Sequence, residues 1–184
     1  MHVVGLVLTL CWLAFWIFWL AAATGAKASR GRTELRRFAG ARVALLIVIV
    51  FLARGLGFHA HPGSVNPVLA GAGVALFAAG LAIAIWARLY IGRNWGMPMT
   101  RRQEPELVTT GPYRKVRHPI YTGIILALIG TALATTWYAL IAVIVLGGYF
   151  IYSATQEEAF LAREFPDAYP AYKHSTKMLI PFVF

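Results

Sequence analysis

Long apolar runs alternate along this chain with shorter stretches that carry nearly all of its charge. A helix crossing the hydrocarbon core of a bilayer needs about 20 predominantly apolar residues. Five stretches approach that length: Val3 to Ala23, Ala39 to Phe58, Pro67 to Tyr90, Pro119 to Thr135 and Trp137 to Ala154. The second holds Arg42 and Arg54 near its two ends, and the third has a charge-free core from Val68 to Trp86. Only Thr135 and Thr136 bridge the last two, which predicts a tight helical hairpin. The pattern therefore predicts an all-α, polytopic membrane helix bundle of about five transmembrane helices.

Composition agrees. The 184 residues are 59% hydrophobic and 13% charged, against about 45–50% apolar and about 25% charged in a soluble domain. So apolar a chain is not disordered. The net charge of +10 would suit nucleic acid if it formed a basic face on a soluble domain. Here the charges lie between apolar spans, so no nucleic-acid partner is expected. Cys11 is the only cysteine, which excludes an intrachain disulfide and gives no sign of a thiolate metal site. His59 and His61 without further ligands do not make a metal centre, and none is expected. The first span is followed by small residues from Ala21 to Ala26. No Lys or Arg precedes it, however, and its apolar run exceeds the 7–15 residues or so of a secretory leader. It reads as a retained span.

The distribution of cations orients the bundle. Segment 24–42 holds six Lys and Arg, segment 88–117 holds seven and the tail after 155 holds three, together 16 of 17. The remaining one, Arg54, lies close enough to the end of its span to snorkel. Loops 59–66 and 135–136 hold none. The positive-inside rule then puts the N-terminus outside and the C-terminus in the cytoplasm. All seven acidic residues fall on the cytoplasmic side as well, so an active site is expected there, built from 88–122 and 155–184.

Three stretches in that region carry candidate chemistry. Thr110 to Gly123 reads TGPYRKVRHPIYTG. Pro119 suits the first turn of a helix and pushes the preceding residue out of helical geometry, which predicts His118 at the N-terminal cap of the fourth span. The unpaired N–H groups of that helix start, with Arg114, Lys115 and Arg117 just before it, make a seat for an anionic group. Tyr121 falls on the first turn. The second stretch is Glu157-Glu158 at the end of the fifth span. Adjacent helical residues point about 100° apart, so one glutamate can meet a ligand while the other meets solvent or an arginine. A carboxylate at the bilayer edge is costly unless it is paired or functional. The third is the tail from Phe165 to Phe184, where Tyr169, Tyr172, Lys173 and Lys177 precede an apolar end. That mixture predicts a C-terminal cytoplasmic and interfacial helical segment folding back onto the bundle.

These motifs resemble the isoprenylcysteine carboxyl methyltransferase family of integral membrane enzymes, which is related to the phospholipid methyltransferases. The resemblance rests on Leu107 to Gly123, Glu157-Glu158 with Leu161, then Phe165, Tyr169, Tyr172 and Ile180-Pro181-Phe182, with Asn94-Trp95 upstream. It covers about residues 85–184. It implies S-adenosyl-L-methionine as methyl donor, held in a membrane-embedded site without a dinucleotide-binding fold. That fits the lack of a glycine-rich strand-to-helix fingerprint. Gly71-Ala-Gly73 inside the third span reads instead as close helix packing.

By resemblance Tyr113, Arg114, His118, Tyr121, Glu157 and Glu158 belong to the cofactor pocket. Glu158, Arg117 and Lys173 are the expected catalytic residues, with Lys173 placed to steer an anionic acceptor. The implied acceptor is a lipophilic small molecule or lipidated group reached from the membrane lipids. Carboxyl O-methylation of a prenylcysteine-like group leads, and phospholipid amine N-methylation is the alternative. A membrane reductase using NADPH and a non-catalytic membrane scaffold are the readings from other classes. Ser153 to Gln156 stand where the family often has a basic residue, and Lys173, His174 and Lys177 where arginines are common, which leaves the acceptor open. The expected organisation is one membrane domain over 1–184, with two N-terminal spans in 1–66 and a methyltransferase-like catalytic core in 67–184. Oligomeric state is not legible.

Overall fold

The computed structural model describes residues 2–23, 66–95, 106–135 and 139–184. Among these, regular structure is helical: α1 (His2–Ala23), α2 (Pro67–Ile91), α3 (Pro119–Ala134), α4 (Ala139–Glu164) and α5 (Ala168–Ser175), with short 3₁₀ turns at Gly92–Asn94 and Gly111–Arg114. One isolated parallel bridge joins Val116 to Lys177. The second expected span, the loop with His59 and His61, and the junction at 136–138 lie outside the described residues.

Helix starts follow local chemistry. Asn66 caps α2, its side chain accepting from Val68 N at 2.9 Å, and Pro67 occupies the first turn. That arrangement satisfies one of the donors a helix start leaves open and wastes none. His118 is the N-cap of α3, with Pro119 behind it, as expected, although its imidazole makes no capping bond.

α2 and α4 are long and apolar enough to cross a membrane. α3, at 16 residues, rises only about 24 Å against the roughly 30 Å of a hydrocarbon core. α4 runs ten residues past the expected end of its span, because Gln156, Glu157 and Glu158 are good helix formers even where the apolar run stops.

The most extensive packing joins α2 to α3 along a seam of small residues. A Cβ placed on Gly123 would stand 2.6 Å from Gly80 O and from Ala84 N. The two backbones therefore touch where side chains normally intervene, as small-residue membrane interfaces allow. Of the expected pair, Gly73 takes part, facing Gly130 O and Ala134, whereas no described residue lies near Gly71. α1 lies across this pair through Leu8, Trp12 and Phe15, and Trp12 Nε1 donates to Thr131 Oγ1 at 3.1 Å.

Arg88 corrects the charge count made from sequence. It is no loop cation but a buried residue of α2, donating to Gly92 O at 3.0 Å and to Ala22 O. Its guanidinium lies 4.4 Å from the Trp95 ring centroid and 5.9 Å from that of Trp19. It thus joins the C-terminal end of α1 to that of α2 through cation–π contacts.

Candidate active site

The segment between α2 and α3 is folded tightly against the end of α2. Gly111 sits at φ 59°, a conformation that favours glycine, and the Tyr90 ring lies against it. The turn that follows buries Tyr113, whose hydroxyl donates to Ala87 O at 3.3 Å. Tyr172 of α5 donates to Tyr113 O at 2.7 Å. Burial above all holds both phenols well above their ordinary pKa, so both stay neutral donors.

Beyond α5 the tail returns across the start of α3. Arg117 N donates to Lys177 O at 2.8 Å, His118 N to Met178 O at 3.1 Å and Thr122 Oγ1 to Leu179 O at 2.7 Å. The tail therefore fixes the backbone on either side of the histidine.

The two glutamates part company. Glu158 is 3% exposed and enclosed by cations, with Arg117 Nε at 2.6 Å, Lys173 Nζ at 2.9 Å and His118 Nε2 at 3.5 Å. Arg117 Nη1 also donates to Thr176 O at 2.6 Å and Lys173 O at 3.2 Å, which ties α5 and the tail to the same point. Glu157, 27% exposed, lies 3.5 Å from His118 Nδ1 and accepts from Tyr121 OH at 2.5 Å. The rings of His118 and Tyr121 stack at 5.4 Å, and Phe150 stacks on Tyr121 at 4.8 Å. Burial would lower the His118 pKa, but the carboxylates of Glu157 and Glu158 outweigh it and raise the pKa above 6.5. His118 Nε2 is buried and makes no well-formed hydrogen bond among the described residues, with Glu158 Oε1 3.5 Å away.

These residues frame a half-open cleft. Its volume is about 140 Å³, against the roughly 10–15 Å³ that one water requires, so it admits a multi-atom ligand. One wall is polar, from Tyr113, Arg117, His118, Tyr121, Glu157 and Tyr172; the other is apolar, from Ile91, Trp95, Leu107, Val108, Ile120 and Leu161. Of the site residues expected from sequence, five meet at the cleft: Tyr113, Arg117, His118, Tyr121 and Glu157. Glu158 and Lys173 stand behind its wall, and Arg114 is exposed and outside the lining. Trp95, Leu107, Leu161 and Tyr172 belong to the motifs but line the cleft without an expected site role, because nothing in their chemistry marks them until the fold brings them together.

The protein is thus of the helical membrane type, with a polar and aromatic cleft at one end of its apolar helices. It belongs to the phospholipid methyltransferase family, whose model matches residues 69–168, more than half of the chain. It is 33% identical over 94 residues to the nickel-cobalt-cadmium resistance protein NccN of Alcaligenes xylosoxydans xylosoxydans, covering 50% of this chain and 44% of that protein. It is 34% identical over 94 residues to the cobalt-zinc-cadmium resistance protein CzcN of Cupriavidus metallidurans, covering 50% and 43%. It is also 34% identical over 85 residues to the protein-S-isoprenylcysteine O-methyltransferase of Schizosaccharomyces pombe, covering 45% and 36%. The chain matches less than half the length of each of these relatives. The resemblance read from the motifs is thereby shown.

Proposed function

We propose that this chain is an S-adenosyl-L-methionine-dependent methyltransferase acting on a lipophilic acceptor at the cytoplasmic face of the membrane. The observation that carries this reading is the cleft itself. It sets a carboxylate, a buried imidazole and aromatic faces opposite an apolar wall. The residues suit the donor. Glu157 would meet its amino group or ribose hydroxyls, the Tyr121, Tyr172 and Trp95 rings would face a flat base or a sulfonium cation, and the start of α3 beside Arg117 would take its carboxylate. The bound donor supplies an electrophilic methyl group on a sulfonium. The protein's part is alignment and exclusion of water. Arg117, Glu158 and Lys173 act in this reading by fixing α5 and the tail against the cleft.

The favoured acceptor is the carboxylate of a prenylcysteine-like group, which has no proton to lose and so needs no general base. The name of one relative favours it. The description of the matched family model favours a phospholipid amine instead, and that is the second reading. Both fit one membrane domain of five spans, with two in 1–66 and the catalytic core in 67–184.

Calorimetric titration of the detergent-purified chain with S-adenosylmethionine, and with NADPH for comparison, tests the proposal. Saturable donor binding is expected, weakened about tenfold or more in Glu157→Gln, since a charge-assisted hydrogen bond contributes about 1.5–3 kcal/mol. His118→Ala is expected to weaken it too. No donor binding to folded protein with lipid restored overturns the proposal, and NADPH binding in its place turns it towards a reductase.

A further inference from the structure

After Leu179 the tail closes into a compact turn. Leu179 N and Ile180 N both donate to Phe184 O, at 2.7 and 2.5 Å, and Phe184 N donates back to Ile180 O at 3.0 Å. Phe182 at its tip has φ 67°, a left-handed conformation that a bulky side chain avoids. The turn is tied down by these bonds, yet it hides almost nothing: Phe182 is 91% exposed, and Ile180, Val183 and Phe184 are exposed with it. Four apolar side chains held out together are costly in water.

Two further features say what they face. The first is depth. Leu179 is bonded to Thr122 in the first turn of α3, and the neighbouring end of α2 exposes Trp86, Leu89 and Tyr90. The turn therefore lies level with the end of the apolar helices, where a bilayer passes from hydrocarbon to headgroups. The second is charge. Val116 and Lys177 form the parallel bridge that seats the tail, which brings Lys177 next to the segment that carries Arg114 and Lys115. All three are exposed, and none is in an ion pair with a described residue, in contrast to Arg117 and Lys173.

We infer that the turn 180–184 is a membrane wedge: Phe182 and Val183 enter the acyl boundary while Arg114, Lys115 and Lys177 bind anionic lipid headgroups. An exposed apolar cluster flanked by exposed cations is complementary to an anionic bilayer surface in both respects. The same strand of tail holds the backbone of Arg117 and His118, so lipid engagement steadies the wall of the cleft. The inference rests on the chain spanning a membrane and not on methyl transfer.

The test uses the full chain with Cys11→Ala and Val183→Cys, labelled at the new thiol with an environment-sensitive dye. It is reconstituted singly in nanodiscs of phosphatidylcholine, with or without phosphatidylglycerol. Blue-shifted emission, quenched by lipid spin-labelled high on its acyl chain, is expected, and more strongly in the anionic discs. Phe182→Asn is expected to abolish both signals while keeping the turn, because asparagine tolerates a positive φ. Lys115→Gln with Lys177→Gln should remove the dependence on lipid charge, each lysine changing the engagement constant about fivefold. Water-like emission without quenching in both discs overturns the inference. So does shielding that appears only with two copies per disc, which would make the occupant a second chain. Equal quenching in neutral and anionic discs overturns the headgroup assignment. None of these readings requires the methyl donor, so failure here is distinguishable from failure of the proposed activity.

Discussion

Glu157 and Glu158 are neighbours in sequence with opposite surroundings, and their variants should differ in kind. Glu158 is the only anion that Arg117 contacts among the described residues. Removing one partner of a buried pair leaves an uncompensated charge, at a cost of about 3–5 kcal/mol. Glu158→Ala is therefore expected to lower the melting temperature of the detergent-solubilised protein sharply. Arg117 accounts for most of that loss, because Lys173 is 54% exposed and an exposed pair contributes little. Glu157→Gln should melt close to the parent while losing donor affinity. The same measurement across pH tests His118. Its pKa is raised in the folded chain, so its pairing with the glutamates stabilises the fold fully below its unfolded value of about 6.5. That contribution fades as pH rises through the folded pKa. Stability should fall on the alkaline side, and His118→Gln should remove that slope. A flat profile in the parent would contradict the pairing.

At the scale of elements, helix starts were legible because they depend on neighbours in the chain. Asn66-Pro67 and His118-Pro119 carry their own cap and turn chemistry, and the structure begins α2 and α3 there. The division of labour between Glu157 and Glu158 was legible as an alternative, since helical geometry forbids both from facing one way; which one meets the arginine was not. The burial of Arg88 was illegible, because it depends on Trp19 and Trp95 arriving from other elements, and from sequence a cation at the end of an apolar run reads as a loop charge. The cleft's apolar wall was hidden for the same reason. The glycine seam was half legible: Gly73 packs, but Gly71 on the same helix meets no described residue. That contrast makes a prediction. Gly123→Ala forces apart backbones already in contact, and overpacking of this kind costs about 1–3 kcal/mol. Gly71→Ala meets no described residue and gains up to about 1 kcal/mol of helix propensity. Heat denaturation in one detergent should order the proteins Gly71→Ala, parent, Gly123→Ala, and reversal of the outer two would refute the seam.

At the scale of the whole molecule, the fold and the charge pattern bear on each other through orientation. Arg88 is buried, so it drops out of the positive-inside count, yet segment 88–117 still holds six other Lys and Arg and the loop 59–66 holds none. The bias is too large for one residue to reverse. The wedge and the cleft also require one side. The cleft is built from the start of α3, the end of α4 and α5, and the wedge from the tail seated on the start of α3, so the two share one side of the bundle. The proposed orientation is accordingly an N-terminus outside and a C-terminus in the cytoplasm, with an odd number of spans between. In a Cys11→Ala background, single cysteines at Ser64→Cys and Ser175→Cys test this in intact cells with a membrane-impermeant maleimide. Position 64 should label before lysis, and position 175, exposed at the end of α5, only after it. Labelling of 175 from outside would place the cleft away from the cytoplasm, where methyl donors are made, and would count against the proposed activity as well as the topology.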